Sequence, residues 1–183
     1  MKRKKMIYTA AGLVILAAAG ISYYCGTSVK VPKSIKVVEN FDIEKYMGTW
    51  YEIARFDFKY EKDLKNVTAT YSLQDNGKVK VVNKGYNYVT NKEAEAVGKA
   101  RQLDNTRNGA LKVSFFGPFY SGYNVVMMDP AYENVLVFGE STDYMWILSR
   151  NKTIPAAVKE TFLTKASEAG YDLKRLVWTT QDK

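Results

Sequence analysis

Gly48-Thr49-Trp50-Tyr51-Glu52-Ile53-Ala54-Arg55-Phe56 decides how this chain folds. A glycine leads into a run of aromatic and β-branched residues, which reads as a strand. Much later the chain answers with Trp146-Ile147-Leu148-Ser149-Arg150, a second strand closed by a lone arginine. Between them, short alternating segments recur with turn signals, the pattern of an antiparallel barrel or sandwich. The spacing predicts strands over 49–56, 67–74, 78–86, 93–101, 110–116, 122–129, 134–139 and 144–150. Asp75-Asn76-Gly77 supplies the positive φ angles of a tight hairpin, and Asn105 to Gly109 reads as another turn.

Residues 154–169 change period. Pro155 suits a first helical turn after Thr153 as N-cap, Ile154, Val158, Phe162 and Ala166 share one face, and Gly170 stops the helix. An apolar stripe must cover something apolar. The strands at 122–129, 134–139 and 144–150 are apolar on both faces, as needed if the lumen lies on one side and this helix on the other. Leu173–Thr179 reads as a closing extended segment. The expected fold class is therefore all-β: an eight-stranded antiparallel up-and-down barrel, with one C-terminal α-helix packed outside and a terminal strand. Such a barrel has no free edge and can hold one small ligand. Alternate loops fall at opposite ends, so Trp50, the 129–133 connection and Arg150 should meet at one floor.

The span from about Phe41 to about Trp178 resembles the lipocalin family, in particular its bacterial, outer-membrane lipoprotein branch and the related apolipoprotein D-like branch. Gly48–Ala54 carries the resemblance first. Lys112-Val113-Ser114-Phe115-Phe116-Gly117-Pro118-Phe119 and Tyr144–Arg150 carry its bacterial character. The middle family motif is present in degenerate form as Asp129-Pro130-Ala131-Tyr132, whereas a literal Thr142-Asp143-Tyr144 falls at the wrong end of the barrel. The resemblance implies that Gly48, Trp50 and Arg150 are structural motif residues. Trp50 would plug the floor, with Arg150 packed over it through cation–π contact and bonds to backbone carbonyls.

Composition narrows function further. The chain has 183 residues, enough for one well-buried domain, with no histidine and one cysteine. Imidazole-based zinc, haem and copper sites are excluded, as are Ser-His-Asp and Cys-His nucleophiles. No cofactor is expected. Net charge is +8, but Lys2, Arg3, Lys4 and Lys5 supply half of it and no acid precedes Glu39. What remains is mildly basic and too interspersed with acids to argue for nucleic acid.

Those four cations precede the apolar run Met6–Tyr24, which ends at Cys25. Residues 1–24 read as a signal or membrane-anchor segment, 25–40 as a tether, and 41–183 as the lipocalin domain. Three fates compete: lipidation of Cys25 after cleavage, an uncleaved anchor just long enough to span a bilayer, and free secretion after Ala17-Ala18-Ala19. Tyr24, where a small residue usually stands, argues against the first; the position of the only cysteine argues for it. Each fate places the domain outside the cytoplasm: an outer-membrane lipoprotein if the cell is Gram-negative, or a membrane-anchored envelope protein.

By strand parity, Tyr144, Trp146 and Leu148 share the lumen with Arg150, and Glu52, Ala54 and Phe56 with Trp50. Val67, Ala69, Tyr71 and Leu73, Leu111, Val113 and Phe115, and Tyr123, Val125 and Met127 are the apolar alternates elsewhere. On the fourth strand Ala94, Ala96, Gly98 and Ala100 leave room inside. The candidate ligand-binding residues are Glu52, Tyr71, Phe115, Tyr123 and Trp146. A chain of about 14 carbons buried there offers roughly 11 kcal/mol gross, before ordering costs. Glu52 is the odd member, since an inward carboxylate needs a partner; a tyrosine hydroxyl, Tyr71 across the sheet, would serve. Loops 57–66, 87–92 and 117–121 add aromatic rings and Lys59, Lys62, Lys65 and Lys92 at the open rim, which suits a water–lipid boundary.

The resemblance implies a membrane-tethered protein that binds fatty acids or lysophospholipids without chemistry, for storage, transport or membrane maintenance. Two alternatives stay open: an enzyme acting on a lipid with Glu52 and a tyrosine as acid–base pair, and a protein-interaction module with a filled barrel. The oligomeric state is open as well.

Overall fold

The structure is a computed structural model that describes residues 29, 31–32, 35–58, 60–103 and 108–182. The anchor segment, Cys25, Lys59 and much of the 105–109 turn lie outside the described residues. Eight strands run β1 (Gly48–Phe56), β2 (Leu64–Leu73), β3 (Val79–Asn87), β4 (Lys92–Gln102), β5 (Ala110–Ser114), β6 (Ser121–Met128), β7 (Asn134–Phe138) and β8 (Met145–Ser149). Each pairs antiparallel with the next, and β1 pairs with both β2 and β8, so the sheet closes on itself. A ninth strand, β9 (Leu176–Trp178), adds to β1 from outside.

Two apolar layers flank β6, β7 and β8, which is why these strands are buried on both faces. Trp50, Tyr71, Val113, Tyr123, Val125, Val137, Trp146 and Leu148 fill the lumen. Ile53, Phe56, Val126, Leu136, Phe138 and Ile147 point the other way, onto helix α2 (Ala156–Glu168). Phe162 and Ala166 of the expected stripe are buried there, with Ile154 and Val158 beside them. The helix starts later than expected. Pro155 itself occupies the N-cap, without a side-chain bond, and Thr153 stands outside.

A single helical turn, α1 (Ile43–Tyr46), was not legible in the sequence and closes the barrel floor. Asp42 caps it, accepting from Glu44 N at 3.0 Å and Lys45 N at 3.3 Å. Tyr46 is thereby buried against Trp50, their ring centroids 4.9 Å apart. Above them the Arg150 guanidinium stacks on Trp50 at 3.8 Å. It donates to the carbonyls of Thr49, Lys45, Tyr46, Met47 and Tyr132 at 2.7–3.3 Å. Gly48 has a φ of +96°, and a Cβ there would lie 3.3 Å from Arg150 Nη1. Glycine answers both demands. The 129–133 connection sits at the same floor, where Asp129 accepts from Glu133 N and Asn134 N. Thr142-Asp143-Tyr144 lies at the opposite end, Asp143 pairing with Arg175 at 2.9 Å.

Two bulges correct the parity expected of two strands. On β1 the register slips between Glu52 and Ala54, which pair with consecutive residues Leu148 and Ile147. Glu52 stays inward, but Ala54 and Phe56 turn outward to α2, and Arg55 enters the lumen opposite Trp146. On β6 the slip between Val125 and Met127 turns Met127 outward and Met128 inward. An extra residue in one strand of a pair exchanges the faces of everything after it. Leu73, also expected inside, is 43% exposed at the end of β2.

Candidate ligand site in the barrel lumen

The Arg55 side chain that the first bulge turns inward organises the polar part of the lumen. It is 1% exposed. Its Nη1 donates to Glu52 Oε1 at 2.7 Å and to Thr179 Oγ1 at 3.2 Å. Its Nη2 donates to the Glu61 carbonyl at 2.6 Å and to Asp57 Oδ1 at 3.1 Å. Thr179, from the chain leaving β9, also donates to Glu52 Oε1 at 2.6 Å. Burying two charges is costly, and this degree of satisfaction is what makes the pair tolerable. The expected bond from Glu52 to the Tyr71 hydroxyl is therefore not made. Arginine is the stronger partner, and the bulge places it within reach.

Glu61 completes the cluster from the β1–β2 loop. Its Oε2 accepts from Trp146 Nε1 at 3.2 Å and lies 3.9 Å from Arg55 Nε. Burial, followed by the nearby Glu52 charge, holds its carboxyl well above the usual range, against the opposing pull of Arg55. Arg55 is shared by two buried carboxyls; burial opposes its charge, but Glu52 and Glu61 more than restore it.

Tyr71 and Tyr123 belong to a separate hydroxyl chain. Tyr123 lies 3.0 Å from the Tyr71 hydroxyl and 2.6 Å from that of Tyr46. Burial raises all three phenols, that of Tyr71 to about 12. They are hydrogen-bonding groups at any physiological pH rather than bases.

Four of the five sequence-derived ligand candidates, Glu52, Tyr71, Tyr123 and Trp146, thus line one cavity with Glu61 and Asn83. Phe115 does not line that cavity; half-buried, it packs both on the lumen core and on Leu64, Val67, Ala94 and Ala96. The room expected beside Gly98 is taken: a Cβ there would lie 2.7 Å from the Phe115 ring. Phe58 covers the lumen from the β1–β2 loop, 6.3 Å from the Trp146 ring and 5.8 Å from Tyr144. The space left is ≈ 20 Å³, room for about one water. A depression of ≈ 570 Å³ along α2 is larger, but it is open to solvent and lacks the buried polar cluster. Sequence reading missed Arg55, Glu61 and Asn83. Strict alternation sets Arg55 on the outer face, and nothing local marks the bulge that turns it inward beside Glu52.

Comparison with known proteins agrees with the barrel fold. The family described as a lipocalin-like domain matches residues 41–181. The chain is 47% identical to the outer membrane lipoprotein Blc of Escherichia coli (strain K12), across 92% of its own length and 96% of that protein's. It is 49% identical to Blc of Citrobacter freundii, with 82% and 85% covered. Identity to apolipoprotein D of Mus musculus is 31%, with 94% and 92% covered. Among solved structures, the cockroach allergen Per a 4 superposes with a TM-score of 0.64 at 21% identity, over 84% of this chain and 94% of that one. That last likeness speaks for the fold alone.

Proposed function

Because this chain belongs to the lipocalin family, we propose that it is an envelope-tethered binder that takes the acyl chain of fatty acids or lysophospholipids into its lumen. Nothing is made or broken; the role is storage, transport or membrane maintenance. The observation that carries the reading is an apolar lumen with one buried polar cluster, covered by Phe58 from the β1–β2 loop. Pockets of this composition hold amphipathic ligands, the polar groups orienting what the apolar walls retain. An acyl chain enters only if Phe58, and deeper in Phe115, rotate aside, because the closed lumen has room for about one water. Glu52, Tyr71, Tyr123 and Trp146 are the contacts we assign to the ligand.

An acid–base pair of Glu52 and a tyrosine has no support in the geometry. Glu52 is bonded to Arg55 and Thr179, and the Tyr71 hydroxyl to Tyr123. The small lumen does favour one competitor, the filled barrel acting as a protein-interaction module. The membrane attachment is assigned to residues 1–24 or to Cys25, as an uncleaved anchor or by lipidation, with 25–40 as the tether, and the relatives named outer membrane lipoprotein support it.

Titration of delipidated residues 26–183 with lysophospholipid and with fatty acid, followed by tryptophan emission, tests the lumen. Saturable one-to-one binding, with a smaller signal change in Trp146→Phe, is the expected result. A folded barrel that binds neither lipid rules out the carrier and leaves the interaction module.

A further inference from the structure

The outer wall of β4 and β5 carries cations in an arrangement that folding does not need. Antiparallel register sets Lys80 directly opposite Lys99, and Arg101 directly opposite Lys112. Like charges in facing positions destabilise a sheet. No ion pair joins any of the four to a carboxylate among the described residues. Glu95, on the same face of β4 nearer the strand's start, is engaged by Lys84 at 3.3 Å. Instead three of the four cations gather around one ring. Lys99 Nζ, Arg101 Cζ and Lys112 Nζ lie 5.7, 6.0 and 5.2 Å from the centroid of Tyr120.

Exposed apolar side chains adjoin this cluster. Phe116 and Phe119, in the loop that ends at Tyr120, are 44% and 57% exposed, and Val97, two residues before Lys99, is 53% exposed. Rings beside cations match the boundary between acyl chains and phosphates.

The entry of the chain supplies a second observation. Val38 N donates to Val125 O and Val38 O accepts from Gly109 N, so the segment from the amino terminus meets the barrel where β5 begins. Lys112 lies three residues further along, roughly 10 Å. Residues 25–34, between the candidate anchor and the docked segment, can span at most about 35 Å. A tether of that reach holds this side of the barrel close to the bilayer. Lys65, at the far side of the β1–β2 connection, is engaged elsewhere, by Asp182 at 2.6 Å.

We propose that the β4–β5 wall, with Lys80, Lys99, Arg101, Lys112 and the Phe116–Phe119 loop, docks on anionic lipid headgroups of the membrane that holds the amino-terminal segment. The barrel then rests on its side against the leaflet, the cations meeting phosphates and the two phenylalanines entering the interface. This rests on the tether assigned above.

The full chain carrying Phe119→Trp, reconstituted in vesicles, tests the contact. Its added emission, relative to the unsubstituted chain, is read against lipids brominated in the acyl chain, with phosphatidylglycerol or phosphatidylcholine as the brominated species. Quenching by the anionic vesicles is expected, stronger than by the zwitterionic ones. It should be lost when Lys99→Glu and Arg101→Glu are added. That pair of changes turns both facing like-charge pairs into opposite ones, so the sheet is not weakened. Flotation with the vesicles reads the tether separately and should be unchanged. A floating protein whose added indole is not quenched, or is quenched equally in both lipids and in the charge variant, overturns the docking while leaving the tether. A protein that fails to float overturns the tether, and the docking with it.

Discussion

The indole nitrogen of Trp146 donates to Glu61 at 3.2 Å, joining the last barrel strand to the loop that covers the lumen. The same loop is held a second time, through the Glu61 carbonyl and Arg55 Nη2 at 2.6 Å. Phe58 is thereby kept over the Trp146 and Tyr144 rings. Loop, strand and buried charge form one unit.

The Glu61 carboxyl is raised above its ordinary value of 4.5 by burial and by Glu52, with Arg55 and Trp146 opposing and Asp57 adding to the rise. Its folded form thus holds a proton that the unfolded chain releases earlier. The stability this contributes is complete below about 4.5 and is lost as pH rises toward the folded value. Wild type should lose stability relative to Glu61→Gln across that window, by at most about 1.4 kcal/mol per pH unit. Urea midpoints of the two proteins from pH 4 to pH 8 check it; parallel curves would mean that Glu61 does not titrate differently on folding.

Truncating Phe58→Ala removes the cover while leaving the Glu61 and Arg55 bonds intact. Binding of an apolar fluorescent probe should become faster and tighter, at a stability cost of about 1–3 kcal/mol. Stopped-flow association rates distinguish this from a lumen closed by something else, for which the rate would not move.

Arg150→Ala strips five carbonyls of a charged donor and uncovers Trp50. We expect a loss of about 3 kcal/mol, only partly recovered by Arg150→Lys, whose ammonium cannot reach so many acceptors or stack as a plane. Chemical denaturation measures it. Lipid affinity of the fraction that remains folded should be little changed, since the floor lies below the cavity.

Gly98→Val would bring a Cβ to 2.7 Å from the Phe115 ring and 2.8 Å from the Ser114 carbonyl oxygen. The ring can swing away; the backbone cannot. A destabilisation of about 1–3 kcal/mol is expected, and Phe115→Ala in the same chain should relieve only part of it. Thermal unfolding of the single and double variants gives the coupling.

Much of this architecture was legible in the sequence because it rests on local patterns. Alternation marks strands, Asn76-Gly77 marks a hairpin, a changed period marks α2, and the Gly48-Thr49-Trp50 entry with Arg150 marks the floor. Four of five candidate ligand residues line one cavity for the same reason, since each lies on a strand segment where parity holds. What the sequence alone could not determine begins at Ile53. A bulge costs one residue of register and leaves no mark in the alternation, because Ala54 and Phe56 are apolar on whichever face they fall. Arg55 reads as a surface cation until the bulge turns it inward beside Glu52 of its own strand, Glu61 of the following loop and the distant Thr179. A buried charge is permitted only by partners that satisfy it. Glu52, Asp57 and Glu61 lie within six residues of Arg55, but only the bulge and the path of the β1–β2 loop turn them onto it, and Thr179 arrives from far along the chain. The polar heart of the lumen, and the loop it latches, were decided by that tertiary arrangement.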